Sequence, residues 1–179
     1  MVADEEYYRR YLKGDDSAIE ALIIKYNNEL VRFLEGMVGN YHDAEDLFQD
    51  IFVRVALKKS VFRGRSQFKT WLYAIARHEA IDFMRKKKLL AQELLLDENE
   101  WNLIHADECL EPEKAYALGE LQDEILQTIK SFNSKMYQVM YLKLFGGFEP
   151  EEIADIMGLT RDQVYVIIHE AREKLKREL

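Results

Sequence analysis

Tyr41-His42-Asp43-Ala44-Glu45-Asp46-Leu47-Phe48-Gln49-Asp50-Ile51-Phe52-Val53-Arg54-Val55 is the stretch on which the fold turns. Its apolar residues Ala44, Leu47, Phe48, Ile51, Phe52 and Val55 recur at spacings of three and four, the period of one helix face. Asp43, Glu45, Asp46, Gln49, Asp50 and Arg54 fall on the other face. The pattern predicts an amphipathic helix that starts near residues 41–43, packs one side into a core and shows an acidic side to solvent.

The same period runs outward in both directions. Upstream, Asp15-Asp16-Ser17 reads as a helix start, and Ile19, Leu22, Ile23, Tyr26, Leu30, Phe33, Leu34 and Met37 form one stripe. That is a helix of about six turns, with Gly36 and Gly39-Asn40 marking its end. Downstream lies a loop, Phe62-Arg63-Gly64-Arg65-Ser66, with Ser66 as the expected N-cap of a helix through Phe68, Trp71, Leu72, Ile75, Ala76, Ala80 and Phe83 to Lys88.

Residues 89–112 lose the period and turn acidic, and they read as a linker with one short helix around Leu89–Leu96, Trp101 and Ile104 being placed to dock on a neighbouring module. Helical pattern resumes at Glu113. Leu118, Leu121, Ile125, Leu126 and Ile129 make one stripe, and Met136, Val139, Met140 and Leu144 the next, stopped by Gly146-Gly147. Two short helices follow, Pro150 to Met157 and Arg161 to about Glu178. With only 2 prolines and 8 glycines in 179 residues, little interrupts helices, and the fold class is all-α. The expected organisation is two small helical domains, residues 1–90 and 113–179, joined by an acidic linker at 91–112.

The net charge of −8 conceals a segregation. Residues 1–57 carry 6 basic and 12 acidic side chains, residues 58–88 carry 10 and 2, and residues 93–124 carry 1 and 11. A basic segment thus sits between two acidic ones, a footprint for phosphate beside flanks that discourage indiscriminate binding. Charge alone fits a solvated helix face equally well.

Glu151-Glu152-Ile153-Ala154-Asp155-Ile156-Met157-Gly158-Leu159-Thr160 has the form of a helix-turn-helix. Ile153, Ala154 and Met157 point inward, Gly158 makes the turn and Thr160 caps the next helix, which Val164 and Ile168 anchor. Arg161, Gln163, Tyr165, His169 and Arg172 are then the candidates to meet DNA. Residues 161–179 hold 5 basic and 4 acidic side chains. Since phosphate neutralisation supplies much of DNA affinity, this module alone should bind weakly.

Two stretches together resemble the extracytoplasmic-function (ECF) group of bacterial sigma factors. His42 to Phe52, followed by Phe62-Arg63-Gly64-Arg65-Ser66 and Phe68-Lys69-Thr70-Trp71-Leu72-Tyr73-Ala74-Ile75-Ala76-Arg77, looks like that group's region 2. The helix-turn-helix at 149–179 looks like its region 4. The resemblance implies a factor that binds core RNA polymerase, recognises and opens promoter DNA and so directs transcription initiation. It implies that Asp43, Asp46, Gln49, Asp50, Phe52 and Arg54 dock on the polymerase. Arg63, Arg65, Ser66, Phe68, Lys69, Tyr73, Arg77, His78, Arg85 and Lys86 would contact the −10 element, and Arg161, Gln163, Tyr165, His169 and Arg172 the −35 element. It also implies an anti-sigma partner. The recognition helix departs from the group at Tyr165, Val166, Ile167 and Glu170, where small and basic residues are common. That departure opens a second reading, in which the apolar face binds a protein and a separate DNA-targeting partner supplies the address.

Other classes fit less of the chain. The carboxylates lie on amphipathic surfaces, His42, His78, His105 and His169 have no ligand spacing, and no phosphate loop or nucleophile motif is present. No enzymatic activity, cofactor or metal is expected. Cys109 is the only cysteine, so no intrachain disulfide forms, which fits a cytoplasmic protein. No apolar run is long enough for a membrane span, and Asp4, Glu5 and Glu6 exclude an export signal at the N-terminus. A plain helix-turn-helix regulator leaves residues 42–77 unexplained. An adaptor that keeps polymerase binding but has lost promoter reading remains an alternative.

Overall fold

A computed structural model describes residues 3–57, 61–94 and 120–178. Among these residues all regular structure is helical: α1 (Asp4–Leu12), α2 (Asp16–Val38), α3 (Tyr41–Ala56), α4 (Phe68–Leu94), α5 (Glu120–Lys130), α6 (Ser134–Leu144), α7 (Pro150–Met157) and α8 (Arg161–Glu178). None of the described helices is long and apolar enough to cross a membrane.

Local chemistry sets most of these boundaries. Gly39 ends α2 in the left-handed conformation, φ +78°, with its N–H on the Glu35 carbonyl at 2.7 Å. Asn40 then caps α3 by accepting from the Asp43 N–H at 3.0 Å, so α3 folds back along α2 after a two-residue joint. Asn133 caps α6 in the same way through Met136. Pro150 occupies the first turn of α7, where its missing N–H costs nothing. Gly158, φ +64°, closes α7. Thr160 and Gln163 cap α8 reciprocally: the Gln163 N–H donates to Thr160 Oγ1 and the Thr160 N–H to Gln163 Oε1.

Several boundaries differ from the sequence reading. α1 was not foreseen, although Tyr7, Tyr8 and Tyr11 fall on its inward face. The expected short helix at 89–96 is not separate, because α4 runs on unbroken to Leu94. Ser66 is not the cap of α4: the helix begins at Phe68, two residues on, and the Phe68 N–H donates to Glu5 Oε1. Gly36 does not mark the end of α2 but lies inside it. The rest of the expected linker, with Trp101 and Ile104, and the stretch 113–119 fall outside the described residues.

The buried residues form one continuous cluster from Tyr8 to Ala171. Helices α1–α4 pack around Leu22, Leu30, Phe33, Ile51 and Leu72, and α5–α8 around Ile129, Val139, Ile153 and Val164. α2 meets α6, and α4 meets α7, so the two sets of helices share a core. Phe33 packs on Tyr73 and Tyr141, with ring centroids at 5.3 and 5.6 Å, and Tyr73 packs edge-on against Phe148 at 5.0 Å. The Tyr137 and Tyr141 hydroxyls donate to the main-chain carbonyls of Arg32 and Glu29 in α2, at 3.0 and 2.8 Å. Gly36 permits this approach: a Cβ there would lie 2.0 Å from Tyr137 Cζ.

Candidate polymerase and nucleic-acid interface

The outer face of α3 presents Asp46, Gln49 and Asp50 to solvent, one helical turn apart. Asp43 and Arg54 flank them but are engaged, Asp43 with Lys87 at 2.8 Å and Arg54 with Glu79 at 2.7 Å, both on α4. These bridges tie the acidic face to the basic helix. Phe52 does not share the face. It is a core residue, 4.8 Å from the ring of Phe48.

The basic segment divides into an open part and a covered part. Arg63, Arg65 and Ser66 are exposed on the loop, and Gly64, φ +69°, turns it. His78, Arg85 and Lys86 are exposed along α4, as is Ile81. Asp82 lies 2.9 Å from Arg85 and 3.6 Å from His78. Phe68 and Tyr73, by contrast, are 0% exposed. Phe68 sits among Tyr8, Phe62 and Trp71, and Tyr73 is enclosed by Phe33 and Phe148. Neither offers a ring for base stacking in this structure. Burial pushes the Tyr73 phenol well above its ordinary range.

Lys69 and Arg77 face α5–α8. Lys69 Nζ donates to the Gly146 carbonyl at 2.9 Å, pairs with Glu29 at 3.2 Å and stands 5.2 Å from the Phe148 ring centroid. Arg77 Nε donates to Gln138 Oε1 at 2.9 Å, and burial lowers its guanidinium pKa. Two residues that the sequence reading gave no role complete the contact. Thr70 donates to Glu152 Oε1 at 3.1 Å, while the other oxygen of Glu152 closes the α7 capping box. Gln138 is buried between Arg77 and Ser134. No periodicity could have found either, since each matters only through a partner distant in sequence.

On α8, Val164 and Ile168 are buried and Arg161, Gln163, Tyr165, His169 and Arg172 are exposed. Gln163 spends its side-chain oxygen on the cap. Arg161 pairs with Glu151 at 2.9 Å and lies over the Tyr165 ring at 5.3 Å from its centroid. The Tyr165 hydroxyl and then Glu151 hold the Arg161 guanidinium pKa above its usual value. Tyr165 and Val166 are 45% and 56% exposed, an apolar patch on the face that a helix-turn-helix turns to DNA.

Residues 22–89, which include α3, the loop and most of α4, match the family model described as Sigma-70 region 2. The chain is 34% identical over 172 residues to the ECF RNA polymerase sigma factor SigW of Bacillus subtilis strain 168, covering 93% of this chain and 91% of that protein. It is 28% identical over 184 residues to the ECF RNA polymerase sigma-E factor of Escherichia coli K12, covering 98% and 93%. Two solved structures share the fold. CnrH, in complex with the cytosolic domain of CnrY, has a TM-score of 0.66 at 20% identity, with 98% of this chain and 96% of that one covered. The sigma factor RpoE, in complex with the anti-sigma factor NepR from Bartonella quintana, has a TM-score of 0.65 at 23% identity, with 88% and 96% covered. The class defined by fold and sequence together is the sigma factor. Within it, this chain belongs to the ECF family of RNA polymerase sigma factors.

Proposed function

We propose that this chain binds core RNA polymerase through α3 and directs it to promoters by reading and opening the −10 element with the loop 61–67 and α4. The observation that carries this reading is the pairing of surfaces on one helical unit. An exposed acidic face on α3 stands beside an exposed basic loop and helix, bridged by Asp43–Lys87 and Arg54–Glu79. Asp46, Gln49 and Asp50, with Asp43 and Arg54 beside them, form the polymerase face. Arg63, Arg65, Ser66, His78, Arg85 and Lys86 form the open −10 face. Lys69 and Arg77 join it when α5–α8 move away. Arg161, Gln163, Tyr165, His169 and Arg172 are assigned to the −35 element. Residues 1–90 and 113–179 act as the two working modules, with 91–112 between them, in the cytoplasm where polymerase works. Relatives of this fold held by CnrY and NepR support an anti-sigma partner for this chain as well. Run-off transcription with core polymerase is the test. Promoter-specific transcripts are expected with the wild type, and their loss is expected in a variant carrying Asp46→Lys and Asp50→Lys. A chain that binds polymerase yet yields no transcript would instead be an adaptor.

The exposed Tyr165–Val166 patch favours a second reading for α8 alone, in which it docks a protein that supplies the DNA address. Transcription that survives scrambling of the −35 element supports it, and transcription that disappears sinks it.

A further inference from the structure

Helix α1 lies outside residues 22–89, the stretch matched by the region 2 family model, yet it touches both ends of the basic loop. The loop joins the end of α3 to the start of α4. At the first end, the Tyr11 hydroxyl donates to the Ala56 carbonyl at 2.6 Å. At the second, Glu5 Oε1 accepts from the Phe68 N–H at 2.8 Å. Between them, Tyr8 is buried against Phe62, Phe68 and Trp71, with ring centroids 5.5–6.0 Å away, and its hydroxyl accepts from the Phe62 N–H at 3.4 Å. α1 is itself anchored on α2 by Asp4, which takes Lys25 at 2.5 Å and the Tyr26 hydroxyl.

The Glu5 contact differs from an ordinary cap. The first N–H groups of a helix have no intrahelical acceptor and carry the positive end of its dipole. Ser66 lies close in sequence, yet it is not the acceptor of the Phe68 N–H. The acceptor for Phe68 comes instead from a residue 63 positions upstream in the chain. That carboxylate also lines a cavity of about 400 Å³ between α1 and the loop, with Tyr8, Arg9, Phe62, Gly64 and Ser66.

We propose that Glu5 is a positioning residue for promoter reading: by capping α4 from α1, it fixes the loop so that Arg63 and Arg65 meet DNA phosphates in register. This rests on the −10 assignment proposed above. Glu5 touches no DNA in this role and no polymerase-facing residue, so its loss separates DNA reading from polymerase binding.

The test uses full-length chain assembled with core polymerase, and a single-stranded oligonucleotide selected by the wild-type holoenzyme from a randomised pool. Glu5→Ala should leave polymerase affinity within about twofold and weaken strand capture about tenfold. Arginines no longer aligned with phosphates release fewer counterions, so the slope of log affinity against log salt should flatten by about 1. Glu5→Gln keeps the oxygen acceptor and should recover most of the affinity. Destabilisation alone would lower the active fraction and leave the salt slope unchanged. That result, unchanged capture, or an equal loss of polymerase binding overturns the role of Glu5. A wild-type holoenzyme that captures no strand overturns the −10 assignment and this proposal with it.

Discussion

Gly36 shows how one missing side chain can matter to two helices. Inside an exposed helix, Gly→Ala gains about 0.5–1 kcal/mol. Here the new methyl would lie 2.0 Å from Cζ of the buried Tyr137 ring, so methyl and ring cannot both keep their places. Gly36→Ala should therefore keep α2 helical while pushing α6 off it. Hydrogen exchange should quicken at the amides of α6 and leave those of α3 unchanged; equal protection in both helices would show that the ring accommodates the methyl. The sequence placed this glycine at a helix end because glycine commonly stops helices. Nothing local distinguishes it from Gly39, which does end α2. Phe68 and Tyr73, given to the −10 element by the resemblance, are core residues, and the rings that cover them, Tyr8, Phe33 and Phe148, are all remote in sequence.

At the level of helices, legibility follows where the stabilising partner lies. α7 and the start of α8 match their sequence reading because Pro150, Gly158 and Thr160 act on their own neighbours. α3 was equally plain, since a single stripe carries its whole core face. α1 went unread: its nine residues give only a short stripe, and they are held by Asp4, Glu5, Tyr8 and Tyr11 reaching α2, α3 and α4. The local α8 cap gives a direct check. Thr160→Ala removes the acceptor for Gln163 N–H and should cost about 1 kcal/mol, a fall in Tm of about 2–4 °C for a chain of this size. The first turn of α8 carries Arg161, Gln163 and Tyr165, so fraying there should weaken any ligand of that face before it affects α3. Calorimetry alongside binding to α8 measures both.

Across the whole molecule, the seam between α1–α4 and α5–α8 is built largely of phenols. Burial raises the pKa of Tyr73, Tyr137 and Tyr141, with Glu29 and Glu35 adding to the effect. A group with a raised folded-state pKa contributes its full stability below its unfolded value, about 10 for tyrosine, and loses it as pH climbs beyond. Tm should therefore hold steady as pH approaches 10 and decline above it. Tyr141→Phe should be less stable at neutral pH by about 1 kcal/mol, from the lost hydrogen bond, yet fall less steeply in alkali. A parallel decline in both proteins would assign the alkaline loss to other groups. The same seam covers Lys69 and Arg77, so conditions that part it should expose more positive surface.

The hydroxyls of Tyr137 and Tyr141 rest on main-chain carbonyls, and carbonyls recur along α2 whatever its side chains. A slip of one helical turn, about 5.4 Å, would offer each phenol a chemically equivalent acceptor. Hydrogen bonding therefore holds α6 to α2 without saying where along α2 it belongs. The notch at Gly36 supplies that alignment. Filling it takes away the alignment as well as the close contact, so α7 and its Glu152 should lose their line to Thr70.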